Sequence, residues 1–89
     1  MNAVDDAQIE RTLFALLAAR AADASICPSD VARALHDDEA AWRALMPRVR
    51  DVALRLARAQ RLRITRGDTT LDPAAPGHGP IRLRRVAPD

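Results

Sequence analysis

Apolar residues recur at helical spacing in the first two thirds of the chain and at alternate positions in the last third. Ile9, Leu13, Leu16 and Leu17 share one side of a helix predicted over residues 6–20. Asp5, with Gln8 three positions on, fits a reciprocal cap at its start. Ala21 to Ala24 is a short exit, and Ser25-Ile26-Cys27 leaves room for no more than a minimal strand. Pro28 then opens a two-turn helix, because proline suits the first helical position, where its missing N–H would have no partner. Cys27 is the expected N-cap, Asp30 sits near the positive end of the dipole, and Val31, Ala34 and Leu35 face inward.

His36 to Glu39 reads as an acidic connector, and Ala40 to Met46 as a helical turn holding Trp42 and Leu45. Pro47 is expected to restart the helix, which runs to about Gln60 with Val49, Val52, Ala53 and Leu56 as its buried stripe. From Arg61 to Arg66 charged and apolar residues alternate, giving a half-buried strand with Leu62 and Ile64 inward. Gly67-Asp68 marks a turn, and Thr69 to Asp72 returns. Three Pro and two Gly make residues 73–80 a loop. Ile81 to Arg84 alternates again and reads as a last strand pairing with the first, followed by a frayed tail at 87–89.

The order is three helices and then a hairpin. The expected class is mainly α with a small antiparallel β-hairpin (α+β), a winged helix-turn-helix. It forms one domain over 1–89, with its core at about 6–86.

Charge changes the picture, because it is divided by position. Residues 1–42 hold three Arg and eight acids, and residues 43–89 hold eleven Arg and four acids. Between Arg43 and Arg66 there are eight Arg and one acid, Asp51. A basic helix running into a basic hairpin is how a winged helix meets a nucleic-acid backbone. The chain has no Lys and nineteen Ala, a bias of GC-rich coding, so the clustering of Arg carries more weight than its count.

On a helical wheel, Pro47, Asp51, Leu54 and Arg58 centre the outer face of the third helix. Arg50 and Arg61 flank one side, and Arg48 and Arg55 the other. Arg48, Arg50, Arg55 and Arg58, with Arg63 and Arg66 of the hairpin, are the candidate nucleic-acid residues. Arg48 and Arg50 are the ones expected near base edges. Arg82, Arg84 and Arg85 add charge on the adjoining strand, although outward charge also protects sheet edges from aggregation. Asp51 opposes phosphate and stands four residues before Arg55, the spacing of an ordinary pair within a helix. With Leu54 it supports the alternative of a protein-interaction module on the same scaffold.

Other chemistry finds no pattern here. There is no phosphate-cradling glycine loop and no nucleophile–base signature, so an enzyme is not expected. His36, His78 and the single Cys27 lack zinc-site spacing; neither metal nor cofactor is expected, and Cys27 reads as a buried, inert thiol. Trp42 reads as core, with Arg43 stacked on it or paired with the acidic connector. Arg66-Gly67-Asp68 reads as a turn. No apolar run approaches the ~20 residues of a membrane span, and the acidic start lacks a signal-peptide layout. The expectation is a cytoplasmic monomer or weak homodimer whose partner is double-stranded DNA or, on the alternative, a protein.

The blocks ICPSDVARAL, WRALMPRVRDVALRLARAQRLRIT, LDP and GPIRLRR resemble a family of short bacterial proteins of unknown function assigned a winged-helix fold. The resemblance covers residues 9–85. Its specific parts are Trp42-Arg43-x-Leu45-Met46 and Gly79-Pro80-Ile81-Arg82. Gln60 stands where that family would place Gly to close the third helix. The resemblance implies the fold and supplies no activity, ligand or site.

Overall fold

A computed structural model describes residues 4–86. The tail expected at 87–89 lies outside the described residues. Three helices and four short strands follow one another as α1 (Asp6–Ala18), β1 (Ser25–Ile26), α2 (Pro28–Leu35), α3 (Glu39–Arg58), β2 (Arg63–Arg66), β3 (Thr69–Thr70) and β4 (Arg82–Arg84). The strands make one antiparallel sheet in the order β1-β4-β2-β3. The architecture is α+β.

α1 begins with the reciprocal cap its sequence announces. Asp5 accepts from the Gln8 N–H at 2.8 Å, and Gln8 accepts from the Asp5 N–H at 2.9 Å. The helix ends at Ala18, two residues short of the expected Arg20. α2 starts at Pro28, and Asp30 accepts from the Cys27 N–H at 2.9 Å, as expected of a first-turn acid. Its buried face is Pro28, Val31 and Ala32; Ala34, expected inward, is exposed, and Leu35 is half-buried.

The third helix departs most from expectation. Asp38 caps it by accepting from the Ala41 N–H at 3.0 Å, and it runs unbroken through Pro47 to Arg58. An interior proline costs a helix roughly 3 kcal/mol through a lost hydrogen bond and a ring clash. Here the apolar stripe decides the matter. Trp42, Leu45, Val49, Val52 and Leu56 keep a three–four spacing across the proline, and all but the half-buried Trp42 are buried. Pro47 is exposed, and so is Arg43, the residue whose carbonyl loses its donor, so the missing bond falls on the solvent side of the helix.

α3 closes through Gln60. The Gln60 N–H reaches the Ala57 carbonyl at 3.0 Å and the Arg61 N–H reaches the Leu56 carbonyl at 2.9 Å, the double closure of a Schellman motif. Gln60 has φ 62°, the one non-glycine residue with positive φ among the described residues. The position expected to hold Gly therefore has the backbone that Gly favours, and Gln adopts it at some cost.

Ile26, Leu83 and Ile64 form one row across β1, β4 and β2. That row is buried against Ile9, Leu13 and Leu17 of α1, Val31 of α2 and the α3 stripe, with Leu62 and Ile81 completing the core as expected. Gly67, with φ 59°, makes the tight turn between β2 and β3. The return strand is shorter than expected, but the Leu71 N–H continues the pairing to the Ile64 carbonyl at 2.8 Å.

Candidate nucleic-acid interface

Most of the arginines of the basic half meet either carboxylates or main-chain carbonyls. The first group meets carboxylates. Asp6, in the first turn of α1, accepts from Arg48 at 2.9 Å and from Arg55 at 3.4 Å. Arg48 and Arg55 are seven residues apart, on one face of α3, so a single acid draws both toward α1. Glu10, one turn along α1, accepts from Arg61 beyond the end of α3, and Arg61 also lies over the Phe14 ring at 5.1 Å. Arg43 pairs with Glu39 at 3.2 Å. Part of the positional charge division thus cancels internally, three acids of the first half holding four arginines of the second.

The Arg48 hydrogen bond, with Arg55 adding to it, holds the Asp6 carboxyl below its ordinary value. Arg48 also donates to the Val4 carbonyl at 2.7 Å. Because α3 starts at Glu39, Arg48 and Arg50 lie in mid-helix rather than at its N-terminal end.

The second group meets main-chain carbonyls, which satisfy an N–H without neutralising the charge. Arg50 of α3 and Arg66 of β2 both donate to the Gly79 carbonyl, at 3.4 and 3.3 Å, and Arg66 also reaches the Pro80 carbonyl at 2.9 Å. These bonds pin the 73–80 loop and join the helix to the hairpin. Arg85 donates to the Leu17 carbonyl and, at 3.1 Å, to the Arg20 carbonyl, capping the open end of α1. Arg82 donates to the Ser25 hydroxyl at 2.8 Å, the Ser25 carbonyl at 3.1 Å and the Cys27 sulfur.

Of the sequence candidates, Arg50 and Arg66 come together. Arg58 is exposed about two turns beyond Arg50 and has no hydrogen bond among the described residues. Arg48 and Arg55 turn away onto Asp6. Arg63 points to the other face of the hairpin from Arg66, as strand alternation requires. Asp51 is exposed, and the Arg55 expected to pair with it is bound to Asp6 instead.

Leu54, expected at the centre of the outer face, is half-buried and packs against the core. Buried Ala57 widens the inward arc toward its side of α3, and Leu54 lies just beyond that edge, on the flank it shares with Arg50. Val86 is the large hydrophobic that stands exposed among the described residues.

The remaining singled-out residues have structural surroundings. Trp42 is half-buried between Arg33 at 4.6 Å and Arg43 at 5.2 Å, so Arg43 both stacks on it and pairs with the connector acid. Cys27 is half-buried rather than buried. Among the described residues no three His, Cys, Asp or Glu side chains gather as metal ligands. No helix there is long and apolar enough to cross a membrane.

Residues 6–86 match the family model described as protein of unknown function, DUF3253. The chain belongs to the DUF3253 family. No curated protein matches it. The match begins at Asp6, the acid that collects Arg48 and Arg55, and ends beyond Arg85, the residue that caps α1. The DUF3253 region therefore includes both the carboxylate-paired arginines and those held on carbonyls.

Proposed function

We propose that this DUF3253 protein binds double-stranded DNA through its phosphate backbone. On this reading it is a winged helix-turn-helix, with α3 lying along the duplex and the β2–β3 turn as the wing. The element order and the antiparallel hairpin after α3 support that scaffold. The observation that carries the reading is the convergence of Arg50 and Arg66 on the Gly79 carbonyl. It sets a helix cation beside a hairpin cation, neither paired with a carboxylate among the described residues, with Arg58 exposed farther along α3. Phosphate contacts of this kind position a protein without reading sequence.

The role is non-enzymatic and regulatory, in a cytoplasmic monomer or weak homodimer. With about three free cations on this edge, a monomer reaches only the non-specific range of roughly 10⁻⁴–10⁻⁶ M. Base readout through Arg48 is disfavoured by its bonds to Asp6 and Val4. The protein-interaction alternative draws on Leu54, Asp51 and the acidic first half; Leu54 is half-buried against the core, which makes it a weaker anchor for such a partner.

The test is a titration of labelled duplex at several salt concentrations. Each phosphate neutralised adds about 0.9 to the magnitude of the log–log slope, so Arg58→Ala lowers it by about that amount on every sequence. Absence of binding at low salt overturns the proposal.

A further inference from the structure

Arg63 on β2 and Arg84 on β4 are direct cross-strand partners. Like charges opposite one another destabilise a sheet. These two cannot swing apart, because each is tethered through its Nε. Arg63 Nε donates to the Arg85 carbonyl at 3.0 Å; Arg84 Nε donates to the Thr65 hydroxyl at 3.3 Å, and a second Arg84 nitrogen to the Asp23 carbonyl at 2.6 Å. Neither pairs with a carboxylate among the described residues. Protection of a sheet edge does not account for them, since β2 and β4 are the two inner strands.

Between them opens a cleft of about 190 Å³ lined by Arg63, Thr65, Gly67, Asp68, Thr70 and Arg84. Its donors come from three strands. The Arg63 terminal nitrogens and one of Arg84 have no partner among the described residues. The Thr65 hydroxyl, whose oxygen accepts from Arg84, keeps its own proton to donate, and Thr70 adds a second hydroxyl. A planar carboxylate offers two oxygens to such a set, whereas a tetrahedral phosphate offers three or four in different directions.

We propose that this outer face of the sheet binds a small phosphate-bearing anion, either inorganic phosphate or a phosphomonoester. The cleft borders the β2–β3 turn assigned above as the wing and takes in Arg63, a nucleic-acid candidate from the sequence, but none of Arg50, Arg58 and Arg66, so variants at Arg58 and Arg63 separate the two assignments. Asp68 on its rim opposes the anion and sets the affinity low. The dianion is the form favoured; a phosphomonoester reaches it above a second pKa of about 6, the free ion only at higher pH.

The probes are sodium phosphate and glycerol phosphate, each titrated into the full chain at a mildly alkaline pH where both are dianions, at constant ionic strength against chloride. Backbone and arginine Nε–H signals are followed by two-dimensional NMR. Saturable shifts at Gly67, Thr70, Arg63 and Arg84 are expected with at least one of the two. Saturation by sodium phosphate alone assigns the cleft to the free ion; saturation by glycerol phosphate extends it to monoesters. Arg63→Gln weakens binding about tenfold, the loss of one charge-assisted contact. Asp68→Asn tightens it roughly two- to fivefold, a gain that a misfolded variant cannot produce. Arg58→Gln leaves it unchanged while weakening duplex binding. Unsaturated shifts with both anions, or equal shifts with chloride, overturn the site. Duplex that moves these signals before those around Arg58 overturns the small-anion assignment and places the face within a nucleic-acid surface.

Discussion

Asp6 and Arg48 face each other across α1 and α3 at 2.9 Å, and the same carboxylate takes Arg55 at 3.4 Å. One acid in a first helical turn therefore pairs with two α3 cations, both still about half exposed to solvent. Converting it to a neutral amide frees both. Asp6→Asn is expected to strengthen duplex binding and to raise the magnitude of the salt slope by about 0.9 for each guanidinium that finds a phosphate. The measurement is the same labelled-duplex titration. An unchanged slope would mean that Arg48 and Arg55 lie away from the bound strand.

The same pairing predicts an acid response. The Asp6 carboxyl is held below its ordinary value, chiefly by the Arg48 hydrogen bond. A carboxyl with a depressed folded pKa contributes stability that is present above its unfolded pKa of about 3.9 and lost as pH falls through the lower folded value. The melting temperatures of the parent chain and Asp6→Asn should differ at neutral pH and converge as pH falls below about 4. A difference that persists unchanged in acid would assign the effect of the substitution to something other than the ion pair.

Leu54 makes a stability prediction rather than a binding one. Its half-burial against the core implies that Leu54→Ala costs about 1–2 kcal/mol, below the range for a fully buried leucine. A thermal melt reads this as a fall of roughly 4–8 °C per kcal/mol for a domain of this size. A melt at the parent temperature would restore Leu54 to the outer face and, with it, the case for a protein partner.

The places where the sequence misleads share a physical cause. The caps at Asp5 and Asp30, the inward Leu62 and Ile64, and the turn at Gly67 are local features, legible from spacing and side-chain chemistry. The start of α3 was not, because Pro47 is a strong local signal. What overrides it is the burial of an apolar stripe continuing on both sides. Which arginines remain free was illegible for a related reason. Asp6 and Glu10, four apart, and Arg48 and Arg55, seven apart, each declare a helix face. Only the packing of α1 on α3 makes those faces meet. The opposition of Arg63 and Arg84 depends likewise on strand register across the 73–80 loop, which no local pattern specifies.

Gln60 supports a last prediction, because here the family resemblance and the backbone point the same way. The Schellman closure of α3 needs its residue at positive φ, and Gln60 holds φ 62° with its N–H bonded to the Ala57 carbonyl. A side chain in this region crowds its own carbonyl, at a cost of roughly 1–2 kcal/mol that glycine does not incur. Glycine also has a more flexible unfolded chain, which offsets part of the gain. Gln60→Gly is therefore expected to stabilise the domain by about 0.5–1 kcal/mol, and Gln60→Val, β-branched at the same φ, to destabilise it by more than that. Chemical denaturation of the two variants beside the parent chain gives the ordering directly. Because Gln60 is exposed, neither change alters the core, and a reversed ordering would mean that α3 does not end in a left-handed residue.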